Sequence, residues 1–348
     1  IDKIPSLFYS MALFFFGVLF YTSRRLVVIP FFVLAFTFLY AILISFFVEV
    51  NILNLIELSF LLIFSYAFYL EKNIDINQFK NRCYSVGIIY AFYVLFSTYY
   101  IDSTINYLRF TYYLPVVIIF AAVSVFNQKR KILNFIVVVS CTLLLMQYSG
   151  RYPILFSILI VIGYAVVTTR YRVTCLLGLL LILVMYASAI VDLLSGMGWF
   201  RRIMYWQDGL HSARSIIYTE YSSKFHEFYL TGYGVGNTGI DLYDKCGQYP
   251  HNLFLHAISD LGFFGWLLCV TWISQFVSAF MSFGKARKIL VITNDKDTLI
   301  ALDSIFLILL YIFFLFNKSG SLYDIYPLIA VTIALKKGSL TILNKSIE

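Results

Sequence analysis

The feature that most constrains this chain is a series of apolar runs, each about twenty residues long, separated by short polar connectors. A helix of that length rises roughly 30 Å, the thickness of a bilayer's hydrocarbon core. No water reaches backbone N–H and C=O groups in lipid, so such runs must close their hydrogen bonds internally as helices. Charged residues make up 13% of the chain and hydrophobic ones 61%, whereas about a quarter of an ordinary soluble domain is charged. The pattern predicts an all-α, polytopic membrane bundle of about 11–12 transmembrane helices, a single transmembrane domain over 1–348.

Spans read near 4–22, 26–49, 52–70, 83–101, 110–126, 132–148, 152–168, 173–194, 258–282, 298–316 and 320–335. Basic residues sort the connectors between them into two sets. One holds 17 of the 26 Lys and Arg, including Arg24 and Arg25, Lys129 to Lys131, and Lys285, Arg287 and Lys288. The positive-inside rule puts that set in the cytoplasm. The net charge of +8 is then mostly topological, and no nucleic-acid partner is expected. Eleven spans set the N-terminus outside, which points either to a further helix upstream of Ile1 or to a span not counted among the eleven.

Residues 195–251 form the one long polar segment, and by the same rule it faces outward. A loop of this length is usually functional. Its Trp199, Tyr205, Trp206, Tyr218 and Tyr221 suggest short amphipathic helices on the membrane surface, with aromatic faces on which sugar rings could also stack. The five cysteines lack metal-ligand spacing, and no intramolecular disulfide is expected. GVGNTG at 234–239 spells a dinucleotide fingerprint, but an outward loop has neither the strand nor the nucleotide that it needs. Gly232, Gly234, Gly236 and Gly239 are better suited to tight turns and close backbone approach to a ligand.

The groups able to do chemistry collect on the outward side. Arg151 stands in a connector too short to leave the membrane surface, where its guanidinium could hold phosphate through two parallel hydrogen bonds. Arg214 lies within the long loop, while Arg201 and Arg202, beside Trp199 and Phe200, suit a headgroup anchor. His251 stands at the mouth of an apolar run, and a neutral imidazole there is a ready proton acceptor. Asn252 could orient it or bind a hydroxyl. His256 is five residues on, with no zinc motif, and His211 and His226 have no supporting neighbours. Glu49, Glu57 and Asp303, in or near spans, keep a lipid-linked sugar transporter open as a lesser alternative.

His251 and Asn252, followed after nine residues by Gly262–Phe263–Phe264–Gly265, resemble the signature of the O-antigen polymerase and O-antigen ligase superfamily. GYGVG at 232–236 is similar to the glycine segment that precedes the histidine in that family. SGR at 149–151 resembles its outer arginine element, and Arg214 fits its loop arginine. The motif-level resemblance spans about residues 149–265.

It implies an inverting, metal-independent glycosyltransferase of the GT-C type, without cofactor, in a bacterial inner membrane and with its active site on the periplasmic side. The implied partners are an undecaprenyl-pyrophosphate-linked oligosaccharide, the surrounding lipids and a chain-length regulator. His251 would be the catalytic base, Arg151 and Arg214 would bind pyrophosphate, and Asn252, Gly232, Gly234 and Gly236 would support them. Ile, Asn and Lys usage typical of an AT-rich gene favours the polymerase, which elongates lipid-linked repeat units, over the ligase, which transfers glycan to lipid A core.

Overall fold

The computed structural model describes residues 74–100, 114–127, 131–148, 151–168, 213–236, 252–319 and 326–346. The spans expected near 4–22, 26–49, 52–70 and 173–194 lie outside them, as do Glu49, Glu57, Arg201, Arg202, Trp199, Tyr205, Trp206, His211, Gly239 and His251. Every regular element among the described residues is helical: α1 Ile76–Tyr100, α2 Leu114–Phe126, α3 Lys131–Tyr148, α4 Arg151–Thr168, α5 Ala213–Ser223, α6 Phe225–Phe228, α7 Leu253–Leu261, α8 Phe263–Thr293, α9 Lys296–Ser319 and α10 Tyr326–Lys345.

Local chemistry sets the helix ends. Pro115, Pro153 and Pro327 each fall in the first turn of a helix (α2, α4 and α10), where the missing N–H would have had no partner anyway. Between α8 and α9 the chain turns at Asn294, which takes φ 56°, a left-handed conformation that Asn tolerates better than most residues. Asp295 follows, and its carboxylate accepts from the Thr298 amide at 3.2 Å, capping α9. Helices α8 and α9 are both long and apolar enough to cross a membrane.

The described residues fall into two compact units. One takes residues 76–100, 114–127, 131–148, 151–168 and 293–311. Its apolar core joins Ala91 of α1, Leu114, Val117 and Ile118 of α2, Cys141 and Leu145 of α3, and Ile154 of α4. Polar groups within this unit are paired with one another. The Tyr84 hydroxyl donates to Asn134 at 3.0 Å, and the Tyr164 hydroxyl donates to the buried Asp303 carboxylate at 3.3 Å while accepting from Asn127 at 3.1 Å. Asp303 thus sits in a chain of side-chain hydrogen bonds, as a buried carboxylate requires.

The other unit holds residues 213–236, 252–292, 312–319 and 326–346. Rings from three helices build its interior: Phe254 of α7 meets Trp272 of α8 at 5.7 Å between centroids, and Phe313 of α9 stacks on both Trp272 (5.7 Å) and Phe276 (5.1 Å). The apolar run expected to span from 258 to 282 is not one helix. It breaks at Gly262, and α8 then continues to Thr293, past Lys285, Arg287 and Lys288.

Candidate functional site

Helix α7 carries the residues that follow the predicted catalytic histidine. His251 lies outside the described residues and immediately precedes Asn252, the N-cap of α7. Asn252 is extended (φ −138°, ψ 121°), and its side-chain oxygen accepts from the Leu255 amide at 3.0 Å. Its side-chain nitrogen donates to the Asn317 carbonyl at 3.3 Å, docking the start of α7 on the end of α9. Asn252 therefore works as a cap and a docking point, fixing the direction in which the chain enters α7 from position 251.

The glycine segment packs against the other end of α7. Gly232, Gly234 and Gly236 all take positive φ (73°, 94° and 80°), which glycine alone adopts readily. This winding aims successive amides at the α7 terminus: Tyr233 N–H donates to the Ser259 carbonyl at 2.7 Å and Gly234 N–H to the Asp260 carbonyl at 3.1 Å. Gly236 N–H donates to the Asp260 carboxylate at 3.0 Å. In return Phe263 N–H donates to the Leu230 carbonyl at 2.8 Å. The close backbone approach expected of Gly232 is to the protein itself, since a Cβ there would stand 2.5 Å from the Asp260 carbonyl oxygen and 2.7 Å from Gly262 N. Nine helical residues, roughly 13 Å of rise, separate this turn from the Asn252 cap.

The glycines of the H-N-x9-G-F-F-G pattern have distinct steric reasons. Gly262 takes φ 54° and ψ −126°, and a Cβ there would meet the Leu230 carbonyl and lie 2.5 Å from Gly232 N. Gly265, in the first turn of α8, lies against α7: a Cβ would run into the Ala257 carbonyl and stand 2.8 Å from Ile258 Cα. The spacing of three residues thus lets α7 and α8 touch through backbone just past their junction.

Beneath the glycine turn lie two residues that sequence reading passed over. His256 Nε2 is 3.5 Å from Asp260 Oδ2, and both side chains are buried, Asp260 completely. They stand one helical turn apart on α7. That i, i+4 spacing on one face was the available signal, but comparing His256 with His251 alone hid it.

Helices α5 and α6 cover α7 from the side. Ile217 and Tyr221 of α5, Phe228 of α6 and Ile258 of α7 form a buried cluster, with Tyr233 and Leu255 against it. Tyr221, read from sequence as a membrane-surface aromatic, is fully buried there, so it is neither an interface anchor nor a stacking platform. The Tyr233 hydroxyl donates to Glu227 at 2.8 Å. Burial, then that hydrogen bond and the carboxylate's charge, push the hydroxyl well above the ordinary tyrosine range.

Arg214 is the second residue of α5. Arg151 is the first residue of α4, in the other compact unit. The structure thus gathers Asn252, the glycine segment and α5 around a single short helix. No protein-family model matches the chain, and no significant match was found among curated proteins or solved structures.

Proposed function

We propose that this chain is a multi-pass glycosyltransferase of the bacterial inner membrane, an O-antigen polymerase acting on undecaprenyl-pyrophosphate-linked glycan at the periplasmic face. The observation that carries the reading is that two arginines, on segments read from sequence as outward, stand at helix starts. Arg151 opens α4 and Arg214 lies in the first turn of α5, and neither first turn holds an acidic residue. The start of a helix bears about half a positive charge, so a cation there is unfavourable by about 0.3–1 kcal/mol. Lys131 and Lys296 also open helices, but they fall among the basic connectors assigned to the cytoplasm, where topology explains them. The arginines fall on the other side, and a bound anion is the natural reason for each. Pyrophosphate at headgroup depth meets both guanidinium and free helix amides.

The chemistry follows from those roles. A sugar hydroxyl of one lipid-linked unit attacks the anomeric carbon of another, and His251 takes the hydroxyl proton as the new C–O bond forms. The bond to the pyrophosphate oxygen breaks on the opposite face, inverting the centre. The family resemblance gives Arg151 and Arg214 the role of stabilising the negative charge that develops on the leaving group. The donor is already activated, so the reaction needs no nucleotide.

The test is deletion of the gene in its host, followed by gel separation of surface lipopolysaccharide. Loss of the ladder to core plus one repeat supports the polymerase. Bare core, with polymer retained on the lipid carrier, assigns the ligase reaction instead. An unchanged ladder contradicts both, and lipid-linked units stranded at the cytoplasmic face would assign a transporter.

A further inference from the structure

We infer that Asp260 is a positioning residue for this site: it fastens the Gly232–Gly236 turn to α7 and so fixes the spacing between that turn and the Asn252 cap beside His251. The inference rests on the glycosyltransferase reading for its functional consequence but not for its geometry.

Asp260 uses both its main chain and its side chain on the same short segment. Its carbonyl accepts from Gly234 at 3.1 Å and its carboxylate from Gly236 at 3.0 Å. Complete burial excludes competing water from both hydrogen bonds. His256, one turn earlier, brings Nε2 to 3.5 Å from the same carboxylate oxygen, holding the side chain in the rotamer that faces Gly236. Gly262 leaves room for the turn.

The consequence lies in connectivity. Residues 237–251 run from Gly236, anchored at the C-terminal end of α7, to Asn252, anchored at its N-terminal end. One helix therefore holds both of the residues that flank positions 237–251, and one of these, Asn252, is the chain neighbour of His251. A base displaced by about 1 Å can lose on the order of a hundredfold in rate, so a carboxylate that never meets substrate would still govern turnover.

The test compares D260N and D260A in the full-length protein, made in the deletion host. In D260N the amide oxygen can still accept from Gly236, whereas D260A removes the acceptor. Hydrogen exchange on the detergent-solubilised proteins should show faster exchange across 232–236 in D260A, with protection in α8 unchanged and D260N close to wild type. Polymer on the gel should fall roughly tenfold to a hundredfold in D260A, at equal membrane level, and return in D260N. Unchanged exchange across 232–236 in D260A would overturn the anchoring. So would a D260N protein that reaches the membrane yet makes no polymer, a result that also decides the matter if D260A fails to accumulate. Should H251A keep a full ladder, the glycosyltransferase reading fails while the exchange comparison still decides the anchoring.

Discussion

Replacing Gly265 by alanine probes the contact on which the α7–α8 junction depends. The new Cβ would stand 2.5 Å from the Ala257 carbonyl carbon and 2.8 Å from Ile258 Cα, besides meeting the Ala257 oxygen. Carbon atoms in ordinary contact are about 3.5–4.0 Å apart, so α7 must retreat by roughly 1 Å. The obstructing atoms are helix backbone and cannot swing aside as a side chain could. Overpacking of this kind costs about 1–3 kcal/mol, and rigid backbone places G265A near the upper end.

Gly284, in the same helix, is the matched control, because nothing lies within 4 Å of its would-be Cβ. There alanine should stabilise the helix by about 0.5–1 kcal/mol, since glycine is the more flexible in the unfolded chain. At about 2–4 °C per kcal/mol, G265A should melt roughly 6–12 °C below wild type and G284A at or slightly above it. Thermal unfolding followed by far-ultraviolet circular dichroism in detergent measures both. Melting of G265A within about 2 °C of G284A would refute the close packing of α7 on α8.

Three further outcomes are expected. N252A removes the α7 cap, worth about 1 kcal/mol, so amide exchange at Leu255 should rise roughly fivefold, while N252D keeps its protection; equal exchange in the two variants would dismiss the cap. R151Q and R214Q should each lower polymer yield by about tenfold or more while leaving the melting temperature unchanged or raised, because each relieves a cation at a helix start; a lower melting temperature with full activity would mark them as structural. The Tyr233 hydroxyl is raised above its unfolded value, so its contribution to folding is fully present below about pH 10 and is lost as pH rises towards the folded value. Y233F should remove that alkaline loss, and an identical pH–stability curve above pH 10 for Y233F and wild type would count against it.

Helices were legible where length and hydropathy decide the outcome. The runs expected at 110–126, 132–148, 152–168 and 298–316 fall within four residues of α2, α3, α4 and α9 at each end, because an apolar run bounded by charge has few other ways to satisfy its backbone. The run 258–282 misled for a local reason. An apolar pattern says nothing of φ, and only the fit of Gly262 against Leu230 and Gly232, distant in sequence, breaks the helix. The run 320–335 stopped short at its C-terminal end, since α10 carries Lys336 and Lys337 on to Lys345.

Within the site, the glycines were legible because positive φ leaves a compositional trace. Asp260 was not, because a single carboxylate in an apolar run reads as a stray charge until the partner that donates to it, the Gly236 amide 24 residues earlier, is in place. Tyr221 was misread for the same reason. An aromatic residue in a polar loop looks exposed until α6 and α7 close over it.

The most direct test of the central claim is replacement of His251 by alanine in the deletion host, with membrane level measured alongside the lipopolysaccharide gel. The account predicts that wild type restores a ladder of repeats and that H251A, present at the same level, leaves core plus one repeat. A ladder from H251A that matches wild type would contradict His251 as the base and, with it, the proposed mechanism of glycosyl transfer.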